Sequence, residues 1–178
     1  LLDSIYGKED NSIKKILPKM KRGNIVIDIA KFAKTNLEFE WVNKEKEIGL
    51  EKIITYKNYS KKVKETKRKL LKLLIDIKNQ GKTIVAYGAS AKGNTLFNYC
   101  GISRDFIEYS VDLNPHKQNT YLPGSHIKVK SPDEIIKTKP DYILITPWNI
   151  KDEIMKQLSY TKEWDCKFIV AIPEAKIL

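Results

Sequence analysis

The segment that most constrains this chain covers residues 81–98 and reads GKTIVAYGASAKGNTLFN. An apolar run from Thr83 to Tyr87 ends at Gly88, and the residues that follow are typical of the first turn of a helix. The pattern predicts a buried parallel strand that passes through a tight turn into a helix. In such a turn, the backbone N–H groups and the positive end of the helix can bind an anion.

Polar side chains at the start of this helix strengthen the prediction of an anion site. Lys92, Asn94 and Thr95 supply a cation, an amide and a hydroxyl, which suit a phosphate-bearing ligand. The spacing differs from both common phosphate motifs, because the dinucleotide motif needs glycine at Ser90 or Ala91 and the P-loop needs lysine at position 94. The motif alone is therefore compatible with a phosphate site and equally with a plain tight turn.

Strand and helix patterns alternate over the second part of the chain. Strands separated by single helices predict an α/β fold with a Rossmann-like, doubly wound, mostly parallel sheet. We expect this domain to cover residues 57–178 and residues 1–56 to form an N-terminal α+β appendage. Strands are predicted at 83–87, 107–111, 127–129, 142–146 and 167–172, and helices at 91–100, from Ser131-Pro132-Asp133-Glu134 onward, and at 150–158.

The N-terminal appendage has a weaker pattern. A short helix is expected over 13–20, where Pro18 should end it. Strands are expected at 24–29 and at 37–42, the second because apolar and acidic residues alternate there. Phe39 and Trp41 are interpreted as core residues rather than ligand contacts.

The basic charge of the chain is concentrated on one predicted helix. The net charge is +11, and much of the excess lies between Lys57 and Lys82. A helix over 58–80 would be about 35 Å long and amphipathic, with an apolar stripe on one face and lysines mainly on the others. We interpret this surface as solvated, and nucleic-acid binding is the alternative, although no RNP, helix-turn-helix or zinc-finger pattern accompanies it. The apolar stripe consists of Tyr59, Val63, Leu70, Leu73, Leu74 and Ile77.

Composition and cysteine use indicate a cytoplasmic globular protein. Apolar residues make up 42% and charged residues 31%, a balance typical of folded soluble chains. We expect no transmembrane helix and no signal peptide, since the apolar runs are strand-sized and the first residues are not basic. Cys100 and Cys166 lie beside apolar residues and are expected to be buried thiols. No metal site is expected, because His116 and His126 lack partners at metal spacing.

Several predicted strands end at polar or aromatic residues, and in a parallel sheet these ends share one edge. Asp112 follows the second strand, 24 positions after Gly88, near the spacing at which an acid binds ribose hydroxyls. Trp148 and Asn149 follow the fourth strand, and Glu174 follows the last. These residues predict a ligand crevice. The alternatives are that Asp112 forms a turn with Asn114, that Trp148 packs, and that Glu174 is solvated.

Four ordered segments resemble one enzyme family. They read YGASAKGNTLFNYCGI (87–102), VDLNPHKQNTYLPGSHIKV (111–129), PDYILITPWNIKDEI (140–154) and FIVAIPE (168–174). They are similar to the C-terminal domain of S-adenosylmethionine-dependent sugar C-methyltransferases, which methylate a carbon of a nucleotide-linked keto-deoxysugar. The resemblance runs from about Lys46 to the C terminus.

The resemblance implies a ligand and a set of site residues. It implies a Rossmann-like domain that binds a nucleotide diphosphate sugar, while S-adenosylmethionine binds to a preceding methyl-donor domain and not to this chain. The residues that would line the nucleotide-sugar side are Tyr87, Gly88, Ala89, Lys92, Gly93, Asn94, Thr95, Asp112, Lys117, Trp148 and Asn149.

The chain also departs from the family pattern. It lacks the family's zinc-ligand cluster, its methyl-donor domain and an initiator Met, so we expect a piece of a longer protein that is inactive alone. Lys21-Arg22-Gly23-Asn24 stands where the family has His-Gly-Gly-Ser, which removes a candidate base. Asn119 replaces a usual glycine. The alternatives are a stand-alone nucleotide-sugar-binding module that acts with a partner chain, and a nucleic-acid-binding domain.

Overall fold

The structure is a computed structural model of the 178-residue chain. It describes the backbone of residues 38–178 and the side chains from Val42 onward. The chain divides into two units between Asn58 and Tyr59. The predicted helix at 13–20, the strand at 24–29 and the segment 21–24 lie outside the described residues.

The predicted strand over 37–42 is wrong, because α1 (Glu38–Ile48) occupies this segment. The residues after Trp41 read VNKEKEI and are rich in Glu and Lys, which favour a helix more strongly than a short alternation favours a strand. Gly49 has a left-handed φ of +73°, and its N–H donates to the Lys46 carbonyl over 2.9 Å, which ends the helix.

A six-stranded sheet forms the centre of the second unit. Its strand order is β3-β2-β1-β4-β5-β6, and every pairing is parallel except that of β6 with β5. In the register, Ala86 of the central strand lies opposite Ser110 on one side and Leu144 on the other. This arrangement confirms the predicted mostly parallel α/β sheet. The strands are β1 (Ile84–Tyr87), β2 (Ser110–Val111), β3 (Val129–Lys130), β4 (Tyr142–Ile145), β5 (Lys167–Val170) and β6 (Lys176–Ile177).

The helices connect these strands in the predicted order. They are α2 (Ile53–Asn79), α3 (Ala91–Cys100), α4 (Asp133–Thr138) and α5 (Lys151–Gln157), with 3₁₀ turns at Trp148–Ile150 and Ser159–Trp164. The α3 bounds agree with the prediction, whereas β2 and β3 are shorter or shifted, and β6 was not predicted. The Glu108 N–H donates to the Ile84 carbonyl over 3.0 Å, so cross-strand hydrogen bonding begins before β2 itself.

Two apolar clusters cover the two faces of the sheet. In β1, Ile84 and Ala86 belong to one cluster, and Val85 and Tyr87 belong to the other. The first cluster contains residues of α2 and α3, and the second contains residues of α4 and α5. The central strands are therefore buried on both faces, which explains why they read as continuous apolar runs.

The apolar stripe predicted for α2 is buried only in its C-terminal half. Leu70, Leu74 and Ile77 are buried in the first cluster. Tyr59, the first residue of the predicted stripe, is 49% exposed. The lysines of this helix lie mainly on its exposed surface, as the amphipathic pattern predicts.

The described residues include two buried free thiols, Cys100 and Cys166, as predicted. Among residues 38–178, none of the helices combines the length and the apolar character needed to cross a membrane. In the same part of the chain, no three His, Cys, Asp or Glu residues are grouped so that they could hold a metal ion.

Asp141 links the amino ends of β1 and β4. Its Oδ2 accepts hydrogen bonds from the N–H and the hydroxyl of Thr83, each over 2.8 Å, and its Oδ1 lies 2.8 Å from the Lys82 ammonium. The Asp141 N–H donates in return to the Thr83 hydroxyl over 3.0 Å. The bond from Lys82, followed by those from Thr83, lowers the pKa of Asp141 to about 2 from its ordinary value of 3.8.

Because the folded pKa lies below the unfolded one, this carboxylate stabilises the fold above about pH 4, and that stabilisation is lost as the pH falls towards 2. Asp141→Asn should remove about 1 kcal/mol of this pH-dependent stability, allowing for screening of a part-exposed group. Urea unfolding of D141N and the wild type between pH 5 and pH 2, roughly the window set by the two pKa values, measures this difference in unfolding free energy. Asp76→Asn, which removes an exposed carboxylate paired with Lys72, is the control. Parallel stability curves for D141N and the wild type would contradict the expectation.

Candidate functional site

The turn after β1 is built against the end of β4. Gly88 has a φ of +98°, and its N–H donates to the Val111 carbonyl over 2.7 Å. The buried hydroxyl of Thr146 donates to the Gly88 carbonyl over 2.6 Å. A Cβ at Gly88 would lie 2.7 Å from the Pro147 Cγ. Glycine is therefore required here by both the backbone conformation and the space.

Helix α3 begins directly after this turn. Ser90 is its N-cap, and the Ser90 hydroxyl accepts a hydrogen bond from the Gly93 N–H over 3.1 Å. A Cβ at Gly93 would lie 2.5 Å from the Thr146 Cβ, so Gly93 permits close packing of the helix on the sheet. The N–H groups of Ala91 and Lys92 precede the first helical hydrogen bond and have no acceptor within the helix.

The contact at Gly93 predicts an effect opposite to helix propensity. Alanine at a helical glycine usually adds about 0.5–1 kcal/mol of stability. Gly93→Ala should instead cost about 1–3 kcal/mol, because the new methyl group would overlap Thr146. Urea unfolding measures the change in the free energy of unfolding. The cost of G93A/T146A should be smaller than the sum of the single costs, and strict additivity would contradict the contact.

Asp112 closes the other side of the turn. Its Oδ2 accepts from the Ala89 N–H over 2.8 Å and lies 3.2 Å from the Lys117 ammonium, which also donates to the Ala89 carbonyl over 2.9 Å. Its Oδ1 accepts from the Asn114 N–H over 2.9 Å. Both carboxylate oxygens are therefore bonded within the chain, and the turn with Asn114 that the sequence left open is present.

Lys92, Trp148 and Asn149 form a second group on this edge, which we call the Lys92 cluster. The Lys92 ammonium donates to the Asn149 Oδ1 over 2.6 Å and lies 5.3 Å from the centre of the Trp148 ring. Lys92 and Asn149 are exposed, and Trp148 is half-buried. Among the side chains that the structure describes, no carboxylate lies within salt-bridge distance of Lys92, so its charge is held by neutral neighbours.

The remaining predicted site residues have other surroundings. Tyr87 is only 4% exposed, packs in the second apolar cluster, and donates from its hydroxyl to the Gln157 Oε1 over 3.0 Å. Burial raises the pKa of Tyr87. The Thr95 hydroxyl donates back to the Ala91 carbonyl over 3.0 Å. The Asn94 Oδ1 is buried without a hydrogen-bond partner among the described residues. Glu174 pairs with Lys69 of α2 at 2.7 Å.

Sequence reasoning missed two residues that shape this edge. Thr146 holds the turn after β1, and Gln118 donates to the Asp112 carbonyl over 3.0 Å. The only signal for Thr146 is its place at the end of a buried strand, directly before a proline. Asn119 has a φ of +65°, which explains why a glycine suits this position and why asparagine is tolerated.

These features define a Rossmann-type domain whose switch-point turn is flanked by a bonded acid on one side and a lysine cluster on the other. A family model for the C-methyltransferase C-terminal domain matches residues 23–173. The chain therefore belongs to the family of C-methyltransferase C-terminal domains, which confirms the family resemblance in the sequence.

One curated relative is the C-methyltransferase NovU of Streptomyces niveus, which is 31% identical over 139 residues. The matched region covers 78% of this chain and 33% of NovU. The chain thus spans about a third of the length of that relative.

Proposed function

We propose that this chain is the nucleotide-sugar-binding domain of a sugar C-methyltransferase. It would hold a nucleotide diphosphate keto-deoxysugar while another domain, outside this chain, binds S-adenosylmethionine. Membership of the C-methyltransferase C-terminal domain family supports the enzyme class. The observation that carries the ligand is the Lys92 cluster, an exposed cation at the carboxyl edge of the sheet with no acid beside it among the described side chains.

The diphosphate would bind at the first turn of α3. The Ala89 N–H is already used by Asp112, so it is not available to a phosphate oxygen. The N–H groups of Ala91 and Lys92, the positive end of a ten-residue helix, and the Lys92 ammonium remain at the same place. The site we propose is therefore two to three residues further along the chain than the Ala89 N–H of the turn.

S-adenosylmethionine supplies the methyl group when it is bound to the intact enzyme. Asp112, the residue at the ribose-binding position, already accepts hydrogen bonds within the chain at both oxygens, which favours a structural role for this acid over recognition of adenosine. The contribution of this chain would be to position the sugar carbon in line with the methyl group, which removes orientational freedom from the reaction. We propose a cytoplasmic location, supported by the two buried free thiols.

Lys92→Ala should weaken binding of nucleoside diphosphates about tenfold to a hundredfold, the effect of losing a charge-assisted hydrogen bond. Calorimetric titration with dTDP, UDP, CDP and GDP measures the effect. The melting temperature should hardly change, because Lys92 is exposed. Lys72→Ala removes an exposed lysine of α2 that does not line the proposed diphosphate position and should leave binding unchanged.

Two results would contradict this proposal. A loss of unfolding free energy in K92A as large as its loss of binding free energy would show that Lys92 stabilises the turn rather than binding a ligand. Steeply salt-dependent binding to random oligonucleotides, unaffected by nucleoside diphosphates, would favour a nucleic-acid-binding domain.

Lys117 should matter to diphosphate binding through Asp112. Its ammonium, 3.2 Å from the Asp112 Oδ2, offsets the negative charge next to the proposed phosphate position. Lys117→Met should therefore lower affinity for inorganic pyrophosphate, and the double variant D112N/K117M should restore it. Calorimetry at low and high salt measures both, since a charge effect shrinks as salt rises. Failure of the double variant to recover affinity would mean that Lys117 contacts the ligand or only supports the loop.

A further inference from the structure

A separate cleft of about 420 Å³ lies on the face of the sheet covered by α4 and α5. Its walls include Leu113, which follows β2, Ile136 of α4, and Tyr160 of the second 3₁₀ turn. The size falls within the range of about 300–1,000 Å³ that is common for small-molecule sites. Neither Lys92 nor the residues that contact it line this cleft.

The walls of the cleft include large apolar side chains that are mostly exposed. Leu113 is 60% exposed and Ile136 is 52% exposed, although both are large apolar side chains. Tyr160 adds a half-buried aromatic ring, which lies 6.1 Å from the Trp164 ring. Two aliphatic side chains and a ring around one cleft suit a flat, apolar-faced ligand.

Two amide side chains supply unpaired polar atoms to the cleft, whose lining also includes Ser131 and Asp133. Gln157 accepts from the Tyr87 hydroxyl at its Oε1 over 3.0 Å, so its Nε2 is left to donate. Gln118 donates from its Nε2 to the Asp112 carbonyl over 3.0 Å, so its Oε1 is left to accept. Within the described residues neither of these remaining atoms has a hydrogen-bond partner. The two amides thus offer one donor and one acceptor.

We propose that this cleft binds a nucleobase. A nucleobase is a flat heterocycle whose edge carries adjacent acceptor and donor atoms, which match the free donor of Gln157 and the free acceptor of Gln118. Its faces would pack against Leu113 and Ile136. This inference rests on the proposed function, because the base would belong to the same nucleotide whose diphosphate binds at Lys92.

The chain connects the two sites. Gln118 lines the cleft and donates to Asp112, and the Asp112 carboxylate bonds the Ala89 N–H in the turn before α3. The cleft follows β2 and β3, and the diphosphate position follows β1, the neighbour of β2 in the sheet. A nucleotide placed along this edge would therefore run from the centre of the sheet towards β3.

The test compares a ligand that has a base with one that has none. Inorganic pyrophosphate probes the diphosphate position alone, and UDP, dTDP and GDP probe both positions. The wild-type chain should bind at least one of these nucleotides roughly tenfold more tightly than pyrophosphate, through the added apolar contact. The variant L113A/I136A should reduce that nucleotide's affinity to the level of pyrophosphate and leave pyrophosphate binding unchanged.

Two further variants make the result specific to the cleft. Ile75→Ala shortens an exposed isoleucine on α2 and should not affect any probe. Gln157→Glu keeps an acceptor for the Tyr87 hydroxyl but replaces the free donor, so it should weaken nucleotide binding more than pyrophosphate binding. Its effect on pyrophosphate measures the contribution of the added charge alone.

The outcomes separate this inference from the proposed function. Nucleotides that bind no more tightly than pyrophosphate, or a loss in L113A/I136A shared equally by pyrophosphate, would overturn the base site and leave the diphosphate site standing. Absence of binding by every probe, or identical affinities in K92A and the wild type, would overturn the proposed function. In that case the carbon-13 chemical shifts of the Leu113 and Ile136 methyl groups are measured while uridine, thymidine or guanosine is added. Unchanged shifts would overturn the base site.

Discussion

The arrangement of the candidate site depends on the contact between Thr146 and the turn that follows β1. The buried Thr146 hydroxyl binds the Gly88 carbonyl over 2.6 Å, and the absence of a side chain at Gly93 lets α3 begin directly beside β4. Because the helix starts there, Lys92 meets Asn149, a residue 57 positions away in the sequence. One packing contact thus determines which polar side chains share the carboxyl edge of the sheet.

The same turn explains why the sequence departs from both common phosphate motifs. In those motifs a glycine-rich loop exposes several backbone N–H groups to the phosphates. In this chain the Asp112 carboxylate occupies the Ala89 N–H, and Lys117 balances the charge of that carboxylate. Because the Ala89 N–H is bonded, it is not free for a phosphate as the N–H groups of a glycine-rich loop are. Positive charge at this end of α3 is carried by the side chain of Lys92, the second residue of the helix.

Local signals predicted the central elements well. The β1 strand and α3 follow from a buried apolar run, the turn at Gly88 and the cap at Ser90, all of which act within a few residues. The short strands β2, β3 and β6 have two residues each, too few to fix their bounds from a pattern, and β6 was not predicted at all. The strand predicted at 37–42 failed because helix-forming residues and the Gly49 cap lie further along the chain.

The site was predictable only as far as topology determines it. Parallel order brings Lys92, Trp148 and Asn149 to one edge, and the sequence predicted that much. The sequence could not show towards which face of the sheet the Tyr87 side chain points, because β1 is buried on both faces and its apolar run does not distinguish them. Nor could it show that Asp112 is bonded internally, since a ribose-binding acid and a turn-forming acid have the same spacing. The structure shows the turn-forming bonds of Asp112 directly, because it gives the hydrogen-bond partners that spacing alone does not.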